Sequence, residues 1–254
     1  MLAITHIPSP KLSRCELTFV ARTAIDYRRA LLQHEAYCRM LRECGAEVRV
    51  LDVNRDFPDG VFIEDTAIIL DEVAVLASMG AESRRAEPAG IEPVLRKYRE
   101  VQRVEFPATI EGGDVVRVGQ TLLVGLSSRT NPAGLEALAA IAVFHNYRVR
   151  GVPIRECLHL KSACTALPDG RLLINPAWVN ARDLAGFETV PVPESEPWAA
   201  DVLSIGDIVC MAAVYPRTAE AIAKLGFTVQ TTDLSEFAKA EGGVTCLSLI
   251  LESH

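Results

Sequence analysis

Short apolar runs separated by tight polar turns recur along this chain and predict a repeated strand–turn–strand unit. Four copies are visible, with turns that begin at residues 71, 119, 169 and 206. Each copy continues into a polar connection, often with a helical pattern. The spacings of 48, 50 and 37 residues between these turns are typical of a propeller-like array of repeated α/β units.

The two ends of the chain predict a fifth, divided copy of this unit. Apolar residues recur at helical spacing over about residues 24 to 44, Gly45 ends that pattern, and a strand follows at residues 47–53. We expect the N-terminal strand LAITH to pair with the C-terminal strand in GGVTCLSLIL. Such pairing would close the ring and cover the edge that an open ring of strands leaves exposed.

Composition narrows the class of protein. The chain has 254 residues, 49% hydrophobic and 23% charged, which is ordinary for a globular protein of one or two domains. A net charge of -7 opposes nucleic acid or an anionic membrane as the partner. No run approaches the roughly 18 apolar residues of a membrane span, and the apolar start is too short for a signal peptide. We therefore expect a cytoplasmic protein.

Seven cysteines, an odd number without CxxC spacing, disfavour a disulfide framework or a zinc site. Reduced cysteines are the better interpretation, and most of them should be small core residues. Cys246 differs because it follows Gly242 and Gly243, where glycine permits close approach of the backbone to a ligand. This pattern makes Cys246 a candidate nucleophile, and a small core residue is the alternative interpretation.

The unusual polar residues fall at equivalent places in the repeat. Glu64 with Asp65, Glu111 and His159 stand at the entrance of the first strand of their units, and Cys246 is predicted within the last strand. In a ring these positions converge near the axis. A core histidine and a turn with solvated acids are the alternative interpretations.

Together these residues suit hydrolysis of a guanidinium group. The group stays protonated far above neutral pH, so a site needs anions, a strong nucleophile and an acid for the leaving amine. Glu64, Asp65 and Glu111 could be the anions, Cys246 the nucleophile and His159 the acid. The Cys246 thiolate would be favoured by protonated His159 or by the bound cation.

Two arginines lie just after the second strand of a unit. Arg84 follows Gly80-Ala81-Glu82-Ser83, and Arg129 lies in the stretch 127–131, SSRTN. Either could bind a substrate carboxylate through paired hydrogen bonds. An exposed loop arginine is the commoner situation.

Six stretches, in the same order along nearly the whole chain, resemble the dimethylarginine dimethylaminohydrolases. They are FPDGVFIEDT (57–66), GAESRRAE (80–87), EGGDV (111–115), GLSSRTN (125–131), LHLKSACT (158–165) and GGVTCLSL (242–249). The resemblance implies a pentein propeller, a five-fold pseudo-symmetric ring of ββαβ modules, in a single domain over residues 1–254. It also implies hydrolysis of Nω-methylated arginine to citrulline and a methylamine, without metal or organic cofactor.

The resemblance also implies roles for individual residues. Cys246 resembles the nucleophile, His159 the general acid and base, and Glu111 the acid that binds guanidinium and orients the histidine. The implied intermediate is a covalent thiouronium on Cys246. Substrate-binding roles follow for the remaining matched positions, which are Asp65 and Glu64 at the guanidinium, Arg84 and Arg129 at the carboxylate, Asp59 near the α-amino group, Phe62, and Leu17 as the lid residue.

Two departures from the family and three other functions stay open. Asp201 stands where compared relatives usually carry Asn, and the region around Leu17 is only loosely similar. Arginine deimination, or hydrolysis of another guanidino or ureido amino acid, is an alternative. A nitrilase-like amidase using Glu111, Lys161 and Cys246 and a catalytically silent binding module are the others. If the chain hydrolyses methylated arginine, its partner is a small-molecule substrate. A homodimer is a candidate assembly, because members of the family it resembles often form one.

Overall fold

The computed structural model describes residues 1–252 as five modules, each built on a three-stranded sheet. Residues 253 and 254, the end of the expected 1–254 domain, lie outside the described residues. In each sheet the middle strand has one antiparallel and one parallel neighbour. The first module contains β3 (Ala67–Ile69), β4 (Val73–Leu76) and β5 (Glu100–Arg103), and the second contains β6 (Val115–Val118), β7 (Thr121–Leu126) and β8 (Arg148–Pro153). The third module contains β9 (Cys164–Ala166), β10 (Leu172–Ile174) and β11 (Thr189–Pro191), and the fourth contains β12 (Leu203–Ile205), β13 (Ile208–Ala212) and β14 (Thr228–Thr232).

The fifth module joins the two ends of the described chain, as the sequence predicts. Its strands are β15 (Ser248–Leu251), β1 (Leu2–His6) and β2 (Glu47–Leu51). β1 pairs antiparallel with β15, from Leu2 opposite Leu251 to Thr5 opposite Ser248, and parallel with β2. The prediction of closure is confirmed, and β1 has a neighbour on both sides.

Helices connect the second and third strands in four modules. They are α1 (Tyr27–Glu43), α2 (Glu87–Leu95), α3 (Pro132–Ala142) and α5 (Pro216–Lys224), while α4 (Leu160–Ala163) and α6 (Ser235–Ala238) are single turns. The helix predicted from residue 24 begins at Tyr27, because the Asp26 side chain accepts a hydrogen bond from the Arg29 N–H and caps it. Over residues 1–252, every helix is too short or too polar to cross a bilayer.

The third module departs from the expected ββαβ order. A 3-10 turn, Ala181–Leu184, stands where the other modules have an α-helix. The Asn180 side chain caps this turn by accepting a hydrogen bond from the Arg182 N–H. Gly186, with φ of 97°, then takes a left-handed conformation that ends helical structure.

The residues expected at strand entrances lie in short helical turns that precede those strands. Glu64 and Asp65 are in the turn Ile63–Thr66, Glu111 directly precedes the turn Gly112–Asp114, and His159 directly precedes α4. Cys246 lies in the turn Thr245–Leu247 before β15, so its predicted place within the last strand is wrong. The fifth module therefore matches the first three, since its candidate functional residue, Cys246, also precedes its first strand.

Apolar side chains pack between neighbouring modules. Ile4 and Leu249 of the fifth module form one cluster with Ile63 and Ala74 of the first module, and all four are buried. Such shared clusters stabilise the ring because no module buries its apolar residues alone.

We expect Ile4→Ala to lower the free energy of unfolding by about 2–5 kcal/mol, because it opens a cavity where β1 joins the first module. Val50→Ala is the matched control, since Val50 on β2 is 46% exposed. Denaturant unfolding monitored by circular dichroism measures both changes. Equal losses in the two variants would contradict a closure that depends on Ile4.

Candidate active site

His159 lies between two carboxylates, each supplied by a different module. Its Nε2 is 2.8 Å from Glu111 Oε2, and its Nδ1 is 3.7 Å from Asp65 Oδ1. All three side chains are buried. Burial lowers the pKa of His159, but the surrounding carboxylates, Asp65 above all, raise it to about 9. The imidazole is therefore protonated at neutral pH and can donate a proton.

Asp65 links this imidazole to Arg84. Asp65 Oδ2 accepts a hydrogen bond from Arg84 at 2.7 Å, and Oδ1 accepts one from the Gly113 N–H at 3.2 Å. A Cβ at Gly113 would stand 2.7 Å from both Asp65 and His159, so only glycine fits there. Although burial raises the pKa of Asp65, the charges of His159 and Arg84 hold it below its usual value. Asp65 is accordingly an anion.

Cys246 joins the acids through its neighbour Thr245. The Thr245 hydroxyl donates to Glu64 Oε2 at 2.8 Å, while Lys161 Nζ donates to Glu64 Oε1 at 2.6 Å. The Gly243 N–H lies 3.4 Å from Cys246 Sγ. Burial, followed by the negative charges of Asp201 and Glu64, raises the pKa of Cys246 well above its usual value. The thiol is therefore neutral at neutral pH.

Asp201 supports the turn that carries Cys246. Its Oδ1 accepts a hydrogen bond from the Thr245 N–H at 3.1 Å. Its Oδ2 lies so close to Gly243 that a Cβ there would stand 1.6 Å away. Burial, then the charge of Glu64, raises the pKa of Asp201 to about 7.

The two arginines expected at the substrate carboxylate differ in their surroundings. Arg84 is buried and donates to Asp65, to Glu87 at 2.9 Å and to the Phe62 carbonyl at 3.1 Å. Arg129 is also buried, but its Nη1 has no hydrogen-bond partner among residues 1–252 and lies 3.7 Å from Glu111 Oε1. Arg129 thus has a donor to spare, whereas Arg84 would have to exchange partners to bind a substrate.

The segment around Leu17 is fixed at two points. Both oxygens of Asp59 accept from the Glu16 N–H at 3.2 Å. The Glu241 carboxylate accepts from the N–H groups of residues 18, 19 and 20, with the contact to residue 18 at 3.0 Å. Leu17, between these points, is half-buried against the core cluster that contains Phe62. The expected role of Leu17 as a lid residue stays a prediction.

Phe62 and Tyr37 support the same region. The Phe62 ring packs so closely on Gly242 that a Cβ there would stand 2.3 Å from its Cε1. Tyr37, on α1, donates from its hydroxyl to the Val244 carbonyl at 3.0 Å. Phe62 is buried, and its expected substrate contact stays a prediction.

Ligand atoms of Asp65, Glu111 and His159 lie within 4.8 Å of one another, close enough to surround a metal ion. However, Arg84 already pairs with Asp65, and the protonated imidazole already pairs with Glu111. Existing cations therefore balance these acids, and a divalent ion would have to displace them. The expectation of metal-free chemistry stays a prediction.

The sequence did not single out two acids near the site, Asp114, which is buried, and Glu241, which is half-buried. Asp114 accepts from the Leu160 N–H at 2.9 Å and from the Ser127 hydroxyl at 2.6 Å, which fixes the residue after His159. Glu241 holds the segment 18–20. Its place just before Gly242 is the available sequence signal. In the structure Glu241 has a φ of 59°, a left-handed conformation that charged residues rarely adopt.

Comparisons with known proteins agree over most of the chain. The model of the family "N,N dimethylarginine dimethylhydrolase, eukaryotic" matches residues 19–161. The dimethylarginine dimethylaminohydrolase of Streptomyces coelicolor is 43% identical over 250 residues, 98% of this chain and 96% of that protein. Its counterpart in Pseudomonas aeruginosa is 38% identical over 226 residues, 88% and 89% of the two chains.

Solved structures give the same result for the fold. A Cys-to-Ser mutant of the Pseudomonas aeruginosa enzyme, complexed with citrulline, superposes with a TM-score of 0.93 at 36% identity over 97% of each chain. The N-terminal domain of ArgZ, a cyanobacterial arginine dihydrolase, has a TM-score of 0.85 at 21% identity over 98% and 97% of the chains. That second likeness supports the fold alone.

Five modules around shared acids, an imidazole and a thiol define the pentein class of α/β propellers, as the resemblance implied. Within that class, the chain belongs to the dimethylarginine dimethylaminohydrolase family.

We expect Glu111→Gln to bring the pKa of His159 down from about 9, because it removes a carboxylate that is hydrogen-bonded to the imidazolium. A titration of the histidine resonances by NMR measures the change. Glu136→Gln, an exposed residue of α3, is the matched control and should leave that pKa in place. An equal pKa in the two variants would contradict the role of the 2.8 Å contact.

Proposed function

We propose that this protein is a cysteine-dependent hydrolase that converts Nω-methylated arginine to citrulline and methylamine or dimethylamine. The observation that carries the proposal is the placement of His159 between Glu111 and Asp65, with the turn of Cys246 tied to the adjacent Glu64. Family membership supports it, since both bacterial relatives are named for this activity. The proposed domain is the whole chain, residues 1–254.

Substrate binding would use the acids and Arg129. Asp65, Glu64 and Glu111 offer negative charge to the substrate guanidinium, which matches planar carboxylates through paired hydrogen bonds. Arg129, whose buried Nη1 has no hydrogen-bond partner in the described part of the chain, suits the substrate carboxylate. Asp59 is the proposed contact near the α-amino group.

The bound cation would also activate the nucleophile. Carboxylates and burial keep the pKa of the Cys246 thiol high, so a guanidinium beside it neutralises those charges and favours the thiolate, with the thiol proton released to solvent because His159 is already protonated. Sulfur then attacks the guanidinium carbon, and an S–C bond forms. The protonated His159 donates its proton to the leaving nitrogen, the C–N bond breaks, and the amine departs from a thiouronium on Cys246.

The second half returns the site to its starting state. Neutral His159 takes a proton from water, and the hydroxide adds to the thiouronium carbon. The S–C bond breaks as the carbonyl of citrulline forms, with the hydroxyl proton passing to sulfur. Thiol and imidazolium are restored, and no metal or cofactor takes part in these steps.

We expect Cys246→Ser to abolish citrulline formation from asymmetric dimethylarginine, because the hydroxyl is a far weaker nucleophile than the thiolate. Chromatography of the product measures citrulline. In the unaltered protein, acid quenching during turnover and mass spectrometry should give a thiouronium adduct on the peptide that contains Cys246. An adduct on another cysteine, or no turnover of any methylarginine, would contradict the proposal.

We expect His159→Asn to lower kcat by about 10²–10⁴, the usual contribution of general acid–base catalysis. The control variant is His145→Asn, because His145 is a half-buried histidine of the second module that lies outside this site. Retained turnover in His159→Asn would rule out the proposed proton transfers.

Two of the alternative functions can be distinguished from this proposal, one by the contacts of Glu111 and Lys161 and the other by the product released. A nitrilase-like triad needs Glu111 and Lys161 to act together, but Glu111 pairs with His159 and Lys161 with Glu64. An arginine deiminase would share the same centre, so release of ammonia from arginine against methylamine from methylarginine distinguishes it. If the protein prefers arginine, arginine is the substrate in place of methylarginine, and the proposed mechanism is unchanged.

A further inference from the structure

Asp114 is a buried acid to which the proposed mechanism gives no role. It lies in the turn Gly112–Asp114 of the second module, fully shielded from solvent. Its Oδ1 accepts a hydrogen bond at 2.9 Å from the Leu160 N–H, and its Oδ2 accepts one at 2.6 Å from the Ser127 hydroxyl. Both oxygens therefore act as acceptors, which is the behaviour of an ionised carboxylate.

One of these contacts fixes the backbone beside His159. Leu160 directly follows His159 and is the first residue of α4, in the third module. A Cβ at Gly125, on β7, would stand 2.6 Å from Asp114 Oδ1 and 2.8 Å from Leu160 Cβ. The carboxylate and the peptide that it binds therefore have no space to move toward β7.

The other contact fixes the backbone of Arg129. The Ser127 oxygen accepts hydrogen bonds from the Arg129 N–H at 3.0 Å and from the Thr130 N–H at 3.1 Å. A hydroxyl has two acceptor positions and one proton, so the Ser127 proton remains for Asp114. The Thr130 hydroxyl in turn accepts from the Glu111 N–H at 3.2 Å. The contacts that begin at Asp114 thus extend to the backbones of Arg129 and Glu111.

We propose that Asp114 is a positioning residue that aligns His159 with Arg129 across the boundary between the second and third modules. The inference rests on the proposed function, which makes His159 the general acid and Arg129 the carboxylate-binding residue. Asp114 acts on them through Leu160 and Ser127 and does not touch the substrate. Because a displacement of about 1 Å can lower a rate about a hundredfold, loss of either contact should be measurable in turnover.

The charge of Asp114 also acts on His159. Burial lowers the pKa of His159, while Asp65, then Asp114 and Glu111, raise it to about 9. Burial raises the pKa of Asp114 itself to about 6, so most of it is ionised at neutral pH. The other charged or titratable groups around these two residues are the same in every variant below, and they are Asp65, Glu111, Arg84, Arg129 and Cys157.

Asp114→Asn tests the proposal, because the amide keeps the shape of the side chain but has one accepting end and one donating end. The donating end would face either the Leu160 N–H or the Ser127 oxygen, which already accepts two hydrogen bonds. One contact is therefore lost whichever way the amide turns. We expect kcat for asymmetric dimethylarginine to fall about tenfold to a hundredfold. The alkaline limb of the kcat profile, which reports deprotonation of His159, should move to lower pH.

Ser127→Ala separates the two contacts. It removes the acceptor of the Arg129 N–H but keeps the charge of Asp114 and its contact to Leu160. We expect this variant to raise KM by a larger factor than it lowers kcat, and to leave the alkaline limb in place.

Glu196→Gln is the matched control for the exchange of a buried carboxylate for an amide. Glu196 lies in the fourth module and accepts hydrogen bonds from the Thr218 N–H at 2.8 Å and from the Thr218 hydroxyl at 2.7 Å. We expect the control to lose stability and to keep kcat, KM and the alkaline limb. Steady-state kinetics as a function of pH, with circular dichroism as the check of folding, measures all three variants.

Two outcomes would overturn the inference. One is a folded Asp114→Asn variant with unchanged kcat and an alkaline limb in the original place. The other, which applies even if Asp114→Asn does not fold, is a Ser127→Ala variant with unchanged KM.

Amide hydrogen exchange at Leu160 and Arg129, followed by NMR, reports the two contacts without turnover. Faster exchange at either amide in Asp114→Asn, in a protein that hydrolyses no arginine derivative, would refute the proposed function alone. Unchanged exchange at both amides, in a protein that hydrolyses methylarginine, would refute the positioning role alone.

Discussion

The burial of several carboxylates around one point near the axis of the ring is the constraint on which the structure of this site depends. Asp65 and Glu111 are held by His159 and Arg84, and Glu64 is held by Lys161. Anions buried without such partners would take up protons or destabilise the fold. Because His159 and Lys161 belong to the third module and the acids they pair with to the first and second, the charge balance is complete only when these modules are assembled.

This balance also sets the resting protonation of the reacting groups. The same carboxylates that protonate His159 oppose ionisation of Cys246. The proposed acid and the proposed nucleophile are thus both held in their protonated forms. In the proposed mechanism, a bound cation would favour the Cys246 thiolate and leave His159 protonated.

The alternating apolar pattern was sufficient to predict the four internal hairpins and the pairing of β1 with β15, because each strand hides one set of side chains. The turn that contains Cys246 could not be predicted, since three residues of 3-10 structure have no distinctive periodicity. The partners of Arg84 could not be predicted from the sequence either. Glu87, the first residue of α2, is buried against Arg84 because α2 packs on the turn Ile63–Thr66.

The attachment of residues 18–20 to Glu241 has a mechanical consequence. One carboxylate accepts all three consecutive N–H groups, so displacing the Glu241 side chain would break all of these hydrogen bonds together. Glu241 directly precedes Gly242 and Gly243, the glycines that lead to Cys246. The segment 18–20 and the backbone that leads to Cys246 therefore share one anchoring residue.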